Sequence, residues 1–204
     1  IGHFTLDNAC NNDTAMRELS RLLTLCGIDF DPVDCHIICF PHILNICSGH
    51  VTDEYTAVDF ASISEAWVDA LDGNKVIDKD AYIEALRRDP IALGHDIVRA
   101  QLDNMDWQVL QDMEVVLEIP HSAQQCMSGE SFPLLSRVVP SFETFMAQWE
   151  QLSLNEPRFA PYIEIGLRHA RSYYRRMGET NAYAIAMFMD PTIRFTWIEL
   201  NWEE

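Results

Sequence analysis

Asp7 closes a short segment, Gly2 to Asp7, in which apolar Phe4 and Leu6 alternate with polar Thr5 and Asp7. A period of two predicts a strand with one covered face. An acidic residue at a strand's carboxyl end, followed by the Asn-rich turn from Asn8 to Asn12, is where a metal ligand or a catalytic acid is presented. The plainer reading is a turn former, because Asp and Asn side chains bond their own backbone two residues on. One carboxylate is also too few for two-metal phosphoryl chemistry, which needs several converging on the ions.

Cys35, His36, Cys39, His42, Cys47 and His50 form a second concentration of reactive side chains. Cys39, His42, Cys47 and His50 have the donor types of a zinc site, but C-x2-H-x4-C-x2-H is not the spacing of a common finger. Cys39 falls at the end of an expected strand and the other three along one helix, so four ligands converge poorly. Small buried thiols with hydrogen-bonded histidines are the simpler account. A third group, Arg168, Arg171 and Arg175, with Arg176 adjacent, lines one face of a helical run and could meet phosphates. On so acidic a chain these arginines are expected to pair with neighbouring carboxylates. Nucleophile elbows, Walker loops and dinucleotide-binding glycine fingerprints do not occur.

The elements that must position these groups follow from caps and periodicity. Asn11, Asn12 and Asp13 offer caps for a helix with Met16, Leu19, Leu22, Leu23 and Cys26 at helical spacing, ending at Gly27. Cys35 to Phe40 reads as a more buried strand, and Pro41 suits the first turn of a helix to about Val51 with Ile43, Leu44, Ile46 and Cys47 inward. Ser62-Ile63-Ser64-Glu65 is a capping box, Asp72-Gly73-Asn74 a turn, and a short helix around Tyr82 to Arg88 ends before Pro90. Further on, Trp107, Leu110, Met113 and Leu117 form one apolar stripe, and Phe142, Phe145, Met146 and Trp149 another. A helix from Tyr162 to Met177 buries Ile163, Leu167, Ala170, Tyr174 and Met177. The apolar run Ala182 to Met189 precedes Asp190-Pro191, Ile193, Trp197, Ile198 and Trp202.

With 32 acidic against 14 basic residues, the 204-residue chain carries a net charge of −18, a field that repels nucleic-acid backbones. No run approaches the ~18 consecutive apolar residues of a membrane span. Ile1-Gly2-His3-Phe4 has no initiator Met and no signal-peptide pattern, and reads as the interior of a longer protein. Six cysteines, five of them between Cys10 and Cys47, are not a secreted disulfide framework in a chain of this size. Reduced thiols in the nucleus or cytoplasm are expected.

Taken in order, Thr5-Leu6-Asp7-Asn8-Ala9-Cys10-Asn11-Asn12, Cys39-Phe40-Pro41-His42-Ile43-Leu44-Asn45 and Asp106-Trp107-Gln108-Val109-Leu110 resemble the RNase H-like catalytic domain of hAT superfamily transposases, of the type abundant in fungal genomes. So do Met127-Ser128-Gly129-Glu130-Ser131, Pro140-Ser141-Phe142, Tyr173-Tyr174 and Met187-Phe188-Met189-Asp190-Pro191. The resemblance implies that Asp7 matches the second acid of the family's DDE triad, and Cys39 and His42 its C-x-x-H motif beside the active site. It implies Mg or Mn as cofactor, held by three carboxylates, and DNA strand cleavage and transfer as the parent activity.

It also implies that the first acid would lie before Ile1 and the last beyond Glu204, and that an Arg-Trp motif expected before Asp106 is deleted. An N-terminal zinc-finger DNA-binding domain would likewise be missing. The expected fold is α+β and mostly helical, a partial RNase H-like core of two or three strands with a helical remainder. Residues 1–55 would form that core, 56–105 an acidic helical connector and 106–204 a helical region. A chain with one acid of three is not expected to turn over alone, because triad members act as a unit. DNA binding is expected to be weak, a homo-oligomer is a candidate partner, and no membrane is implied. The alternatives are a domesticated interaction or dimerisation module and a small zinc-binding domain built on Cys39 and His42.

Overall fold

The computed structural model describes residues 2–57, 78–90, 102–128 and 135–193. Among these the chain is mostly helical, with one two-stranded parallel sheet. The elements are β1 (Phe4–Leu6), α1 (Cys10–Leu25), β2 (His36–Ile38), α2 (Phe40–Ala57), α3 (Lys79–Arg87), α4 (Asn104–Cys126) and α5 (Leu135–Asn155). A 3-10 turn (Pro157–Phe159), α6 (Ala160–Met177) and α7 (Ala182–Met189) follow. No helix among the described residues is long and apolar enough to cross a membrane. The Ser62 capping box, the Asp72-Gly73-Asn74 turn, Gly129 to Ser131 and Trp197, Ile198 and Trp202 lie outside the described residues.

Two compact units divide the chain. The first takes Ile1–Leu44, Ala123–Thr144 and Ala170–Glu204, and the second takes Asn45–Ser122 and Phe145–His169.

In the first unit, β1 and β2 are parallel with Phe4 opposite His36, Thr5 opposite Ile37 and Leu6 opposite Ile38. Parallel neighbours require a crossover, and α1 supplies it. The expected side-chain caps of α1 are not made: its N-cap is Ala9, and Asn12 turns back to bond Asp7. Its other end closes as the sequence predicts. Gly27 has φ of 72°, its N–H bonds Thr24 O at 3.0 Å, and Ile28 N–H bonds Leu23 O at 3.0 Å. That is the double bond of a left-handed helix stop, which Gly adopts without a Cβ clash. Along α1 only Met16 is buried; Leu22 and Cys26 are exposed, so the stripe is covered over part of its width.

All three residues of β2 are buried, as its apolar run predicts. Phe40 belongs to the first turn of α2 rather than to the strand. It meets Phe142 edge-on at 5.7 Å, and Phe142 stacks on Tyr174 at 6.0 Å. Tyr174 is half-buried, and its hydroxyl donates to Glu143 Oε1. Each fully buried aromatic contributes roughly 1.5–3 kcal/mol by leaving water.

In the second unit, the stripe expected on α4 is rotated. Trp107 is 51% exposed, and the buried positions are Asp106, Val109, Asp112, Met113, Val116 and Pro120. The reason is electrostatic. Asp103 Oδ1 accepts the N–H groups of Met105 and Asp106, and Asp106 Oδ2 accepts the Asp103 N–H at 2.9 Å, a reciprocal cap with Asp in the usual Glu position. Arg88 then reaches Asp103 Oδ2 and Asp106 Oδ1, both at 2.7 Å. A buried carboxylate matched this fully is tolerated, whereas a lone one is not.

Asp112 is satisfied in the same manner. Tyr82 OH donates to its Oδ2 at 2.6 Å, Gln108 Nε2 to its Oδ1 at 3.1 Å, and Arg158 Nη2 lies 3.2 Å from Oδ1. Burial nevertheless pushes this carboxyl above its ordinary range, outweighing the Tyr82 bond and the Arg158 charge.

Pro120 sits inside α4 and cannot donate to the carbonyl four residues back, which belongs to Val116. Trp149 of α5 takes up that carbonyl: its Nε1–H bonds Val116 O at 2.9 Å. The far edge of the same indole closes on Gly166 of α6, where a Cβ would stand 2.5 Å from Cη2 and from Cζ3. Phe145, Trp149, Ile163 and Leu167 are fully or almost fully buried, as their spacing predicts.

Candidate functional site

Asp7 follows β1 directly, and Cys39 follows β2. The Cys39 N–H donates to Leu6 O at 2.9 Å, so the two residues occupy adjacent carboxyl ends of a parallel pair. The strand ends at Asp7 as the sequence predicts, but the covered face does not follow, since Phe4 is exposed and Leu6 only half-buried. The Asp7 carboxylate is exposed, but its Oδ1 accepts the Ala9 N–H at 3.1 Å and the Asn12 amide at 2.5 Å. Asn12 also donates to the Asp7 main-chain carbonyl at 3.1 Å. Asp7 therefore works as an Asx turn that starts α1, which satisfies backbone donors the helix leaves open.

The residues around Asp7 do not fit a two-metal centre. Among the described residues Asp7 belongs to no set of three or more ligating side chains that converge within 4.8 Å, and one of its two oxygens is already bonded. Magnesium or manganese held by several carboxylates needs more than this.

The cysteine and histidine cluster is likewise dispersed. Cys39 and His42 are half-buried and belong to no such converging set, nor do Cys47 and His50. Cys47 is fully buried, and burial pushes its thiol up to about 12, which disfavours the thiolate that zinc requires. His50 instead stacks on His169, with ring centroids 3.6 Å apart and planes 9° off parallel.

Burial, then the charges of His50 and Arg168, hold His169 below its ordinary 6.5. The sign is that of a lowered histidine. The folded form resists the proton, so this group's penalty is absent above 6.5 and grows as pH falls through that value. In an NMR titration His169 is expected to protonate below 6.5, and His50→Ala to move it upward. An unmoved midpoint would remove the stack as a cause.

Arg168, Arg171 and Arg175 are exposed on α6, as their spacing predicts, and Arg175 Nε bonds back to Arg171 O at 3.4 Å. The arginine that enters a site is their half-buried neighbour, Arg176. It donates to Asn8 Oδ1 at 2.5 Å, and its Nη2 lies 3.8 Å from Asp13 Oδ1. Asn8 passes the chain on to Tyr173 OH at 2.6 Å, and Asp13 Oδ1 also lies 3.4 Å from His36 Nδ1. Arg176, Asp13 and His36, with Arg17, Pro32, Val33, Ile38 and Glu179, line a pocket of about 240 Å³ in the first unit.

The His36 ring is 8% exposed, and its Nε2 is buried without a hydrogen-bond partner. Such a group is costly unless something else satisfies it. Asp13 had appeared only as a cap, His36 only as a member of the cysteine and histidine cluster, and Arg17 and Glu179 carried no signal. The one available clue was that His36 is a polar residue in an otherwise apolar strand.

A roomier concavity of about 510 Å³ lies against Leu135, Ala186, Met189 and Pro191. Three of its polar residues bond one another: Ser136 Oγ donates to Asp190 Oδ2 at 2.8 Å, and Thr192 bonds Asp190 Oδ1 through its N–H and its hydroxyl. The Thr192 bonds, then that from Ser136, hold Asp190 down to about 2. No protein-family model matches the chain, and no curated protein or solved structure matches it either.

Proposed function

We propose that the chain is a segment of an RNase H-like catalytic domain of the hAT transposase type, without strand-cleaving activity of its own. The observation that carries this reading is the parallel β1–α1–β2 unit, with Asp7 and Cys39 at its adjacent carboxyl ends and Cys39-Phe40-Pro41-His42 opening α2. The short strands, the crossover helix and the ordered motifs of the sequence support the same reading. DNA is the substrate class it implies. The net charge of −18 argues that contacts to DNA would come mainly from elsewhere in a longer polypeptide.

Because no carboxylates converge on Asp7 among the described residues, its role here is to hold the turn between β1 and α1. Two measurements test the proposal. Calorimetry on the 204-residue chain is expected to show no micromolar Mg or Mn binding, in the parent sequence or in Asp7→Ala. Micromolar binding lost in Asp7→Ala would restore a working site to this chain. In the longest polypeptide that carries these residues, metal-dependent nicking of duplex DNA is expected, and Asp7→Asn is expected to reduce it by 10³-fold or more, on the order seen when one member of a catalytic unit is removed. Nicking that Asp7→Asn leaves unchanged would sink the transposase reading.

A further inference from the structure

His3, Asp34 and Cys35 are the one set of three metal-ligating groups that converges among the described residues, with their ligand atoms all within 4.8 Å of one another. The sheet is what brings them together. Phe4 N–H donates to Cys35 O at 2.9 Å and Phe4 pairs with His36, so the register places His3 beside Cys35 one step before the pair begins. In a parallel ladder, residues in register project from the same face. Asp34 is fixed from outside the set. Its Oδ1 accepts the Asn181 N–H at 2.8 Å and the Asn181 amide at 3.2 Å, and Thr180 Oγ1 donates to Asp34 O at 2.5 Å. Those contacts fall on Oδ1 and on the main chain, and leave Oδ2 uncommitted.

We propose that His3, Asp34 and Cys35 form a zinc site with three protein ligands and a fourth, open position. One imidazole, one thiolate and one carboxylate are a borderline-soft donor set, suited to zinc and poorly suited to magnesium. Zinc bonds of about 2.0–2.3 Å place tetrahedral ligand atoms roughly 3.3–3.8 Å apart, so the set closes by contracting about 1 Å. His3 is exposed and can make that adjustment by side-chain rotation, and its exposure leaves the ion a path of entry.

The bonds from Thr180 and Asn181 are the outer support that metal-ligating carboxylates ordinarily have. Burial, then the Asp34 charge, holds the Cys35 thiol above its ordinary value in the empty site; on binding, its proton goes to solvent and the sulfur bonds the ion, while water fills the fourth position. This site shares no residue with the Asp7 end of the sheet, and it stands or falls independently of the transposase reading.

The test uses the whole chain, stripped of metal, with zinc titrated against a chromophoric chelator and cobalt as the spectroscopic stand-in. Stoichiometric zinc is expected, with a sulfur-to-cobalt charge-transfer band and the ligand-field bands of a tetrahedral ion. His3→Ala is expected to weaken zinc by tenfold or more and Asn181→Ala by up to about tenfold, the range for lost outer support. Cys35→Ser should abolish the charge-transfer band, while Cys39→Ser and Cys10→Ser retain it. The exposed position of His3 makes His3→Ala the decisive variant if Cys35→Ser folds poorly. Equal zinc affinity in His3→Ala and the parent chain, a charge-transfer band that survives Cys35→Ser, or a folded chain that binds no zinc would each overturn the site. Millimolar magnesium is expected not to compete, and competition by it would overturn the assignment to a thiolate centre.

Discussion

Gly166→Ala lowers stability by up to about 2 kcal/mol, and Gly166→Val by more still. Two effects oppose each other. Replacing Gly by Ala inside a helix gains about 1 kcal/mol from backbone propensity. Against that, the new methyl would stand 2.5 Å from Trp149 Cη2 and Cζ3 and 2.9 Å from Val51 Cγ2, and overpacking a rigid interior costs about 1–3 kcal/mol and sometimes more.

The clash dominates because the indole cannot retreat. Its Nε1–H is tied to Val116 O, the carbonyl that Pro120 leaves without a donor. Urea denaturation monitored by tryptophan fluorescence and circular dichroism reads the result as a lower midpoint at unchanged slope. An unchanged or raised midpoint would show that α6 shifts freely. Trp149→Phe separates the two contributions. It shortens the ring, and it leaves Val116 O buried and unpaired at about 1–3 kcal/mol. In the double variant the penalties should be less than additive, because the smaller ring makes room for the methyl.

Arg158→Met destabilises the chain by about 3 kcal/mol at neutral pH, the cost of leaving a buried carboxylate without its cation. Asp112 is 2% exposed, and Tyr82 and Gln108 would remain as its only donors among those bonded to it here. The pH dependence identifies the cause. The folded pKa of Asp112 is raised above its ordinary 3.8, first by burial, so its contribution to stability is full below 3.8 and is lost as pH rises through the folded value. Without Arg158 the folded value rises further. The deficit of Arg158→Met relative to the parent chain should therefore shrink as the solution is acidified and Asp112 becomes neutral. Denaturation midpoints of both proteins across the acid range measure it. A deficit that does not change with pH would assign the loss to packing against Phe159, whose ring lies 4.8 Å from the Arg158 guanidinium carbon.

These two predictions rest on contacts that no periodicity reveals. The β1–α1–β2–α2 order was legible because local rules agree there: alternation around Phe4 and Leu6, a left-handed stop at Gly27, Pro41 in a first helical turn. The inward faces of α5 and α6 were legible for the same reason. On α4 the reading turned the helix by about one residue, since it put Trp107 in the core, where the structure buries Asp106 and Asp112 instead. Arg88 and Arg158, far from α4's own pattern, reverse that preference. The Asp7 end of the sheet was visible in sequence, but the engagement of its carboxylate by Ala9 and Asn12 was not. Asp13, His36 and Arg176 converge from three separate elements, and spacing within any one of them carries no sign of the pocket.

The division of the chain has a consequence for how it is made. The first unit is built from residues 1–44, 123–144 and 170–204, and the second from 45–122 and 145–169. Each passage from one to the other falls within α2, α4, α5 or α6, never in a loop. A chain emerging from the ribosome would therefore hold β1, α1 and β2 unfinished until α6 and α7 have been made. Loop closure of that span is entropically costly before any contact rewards it.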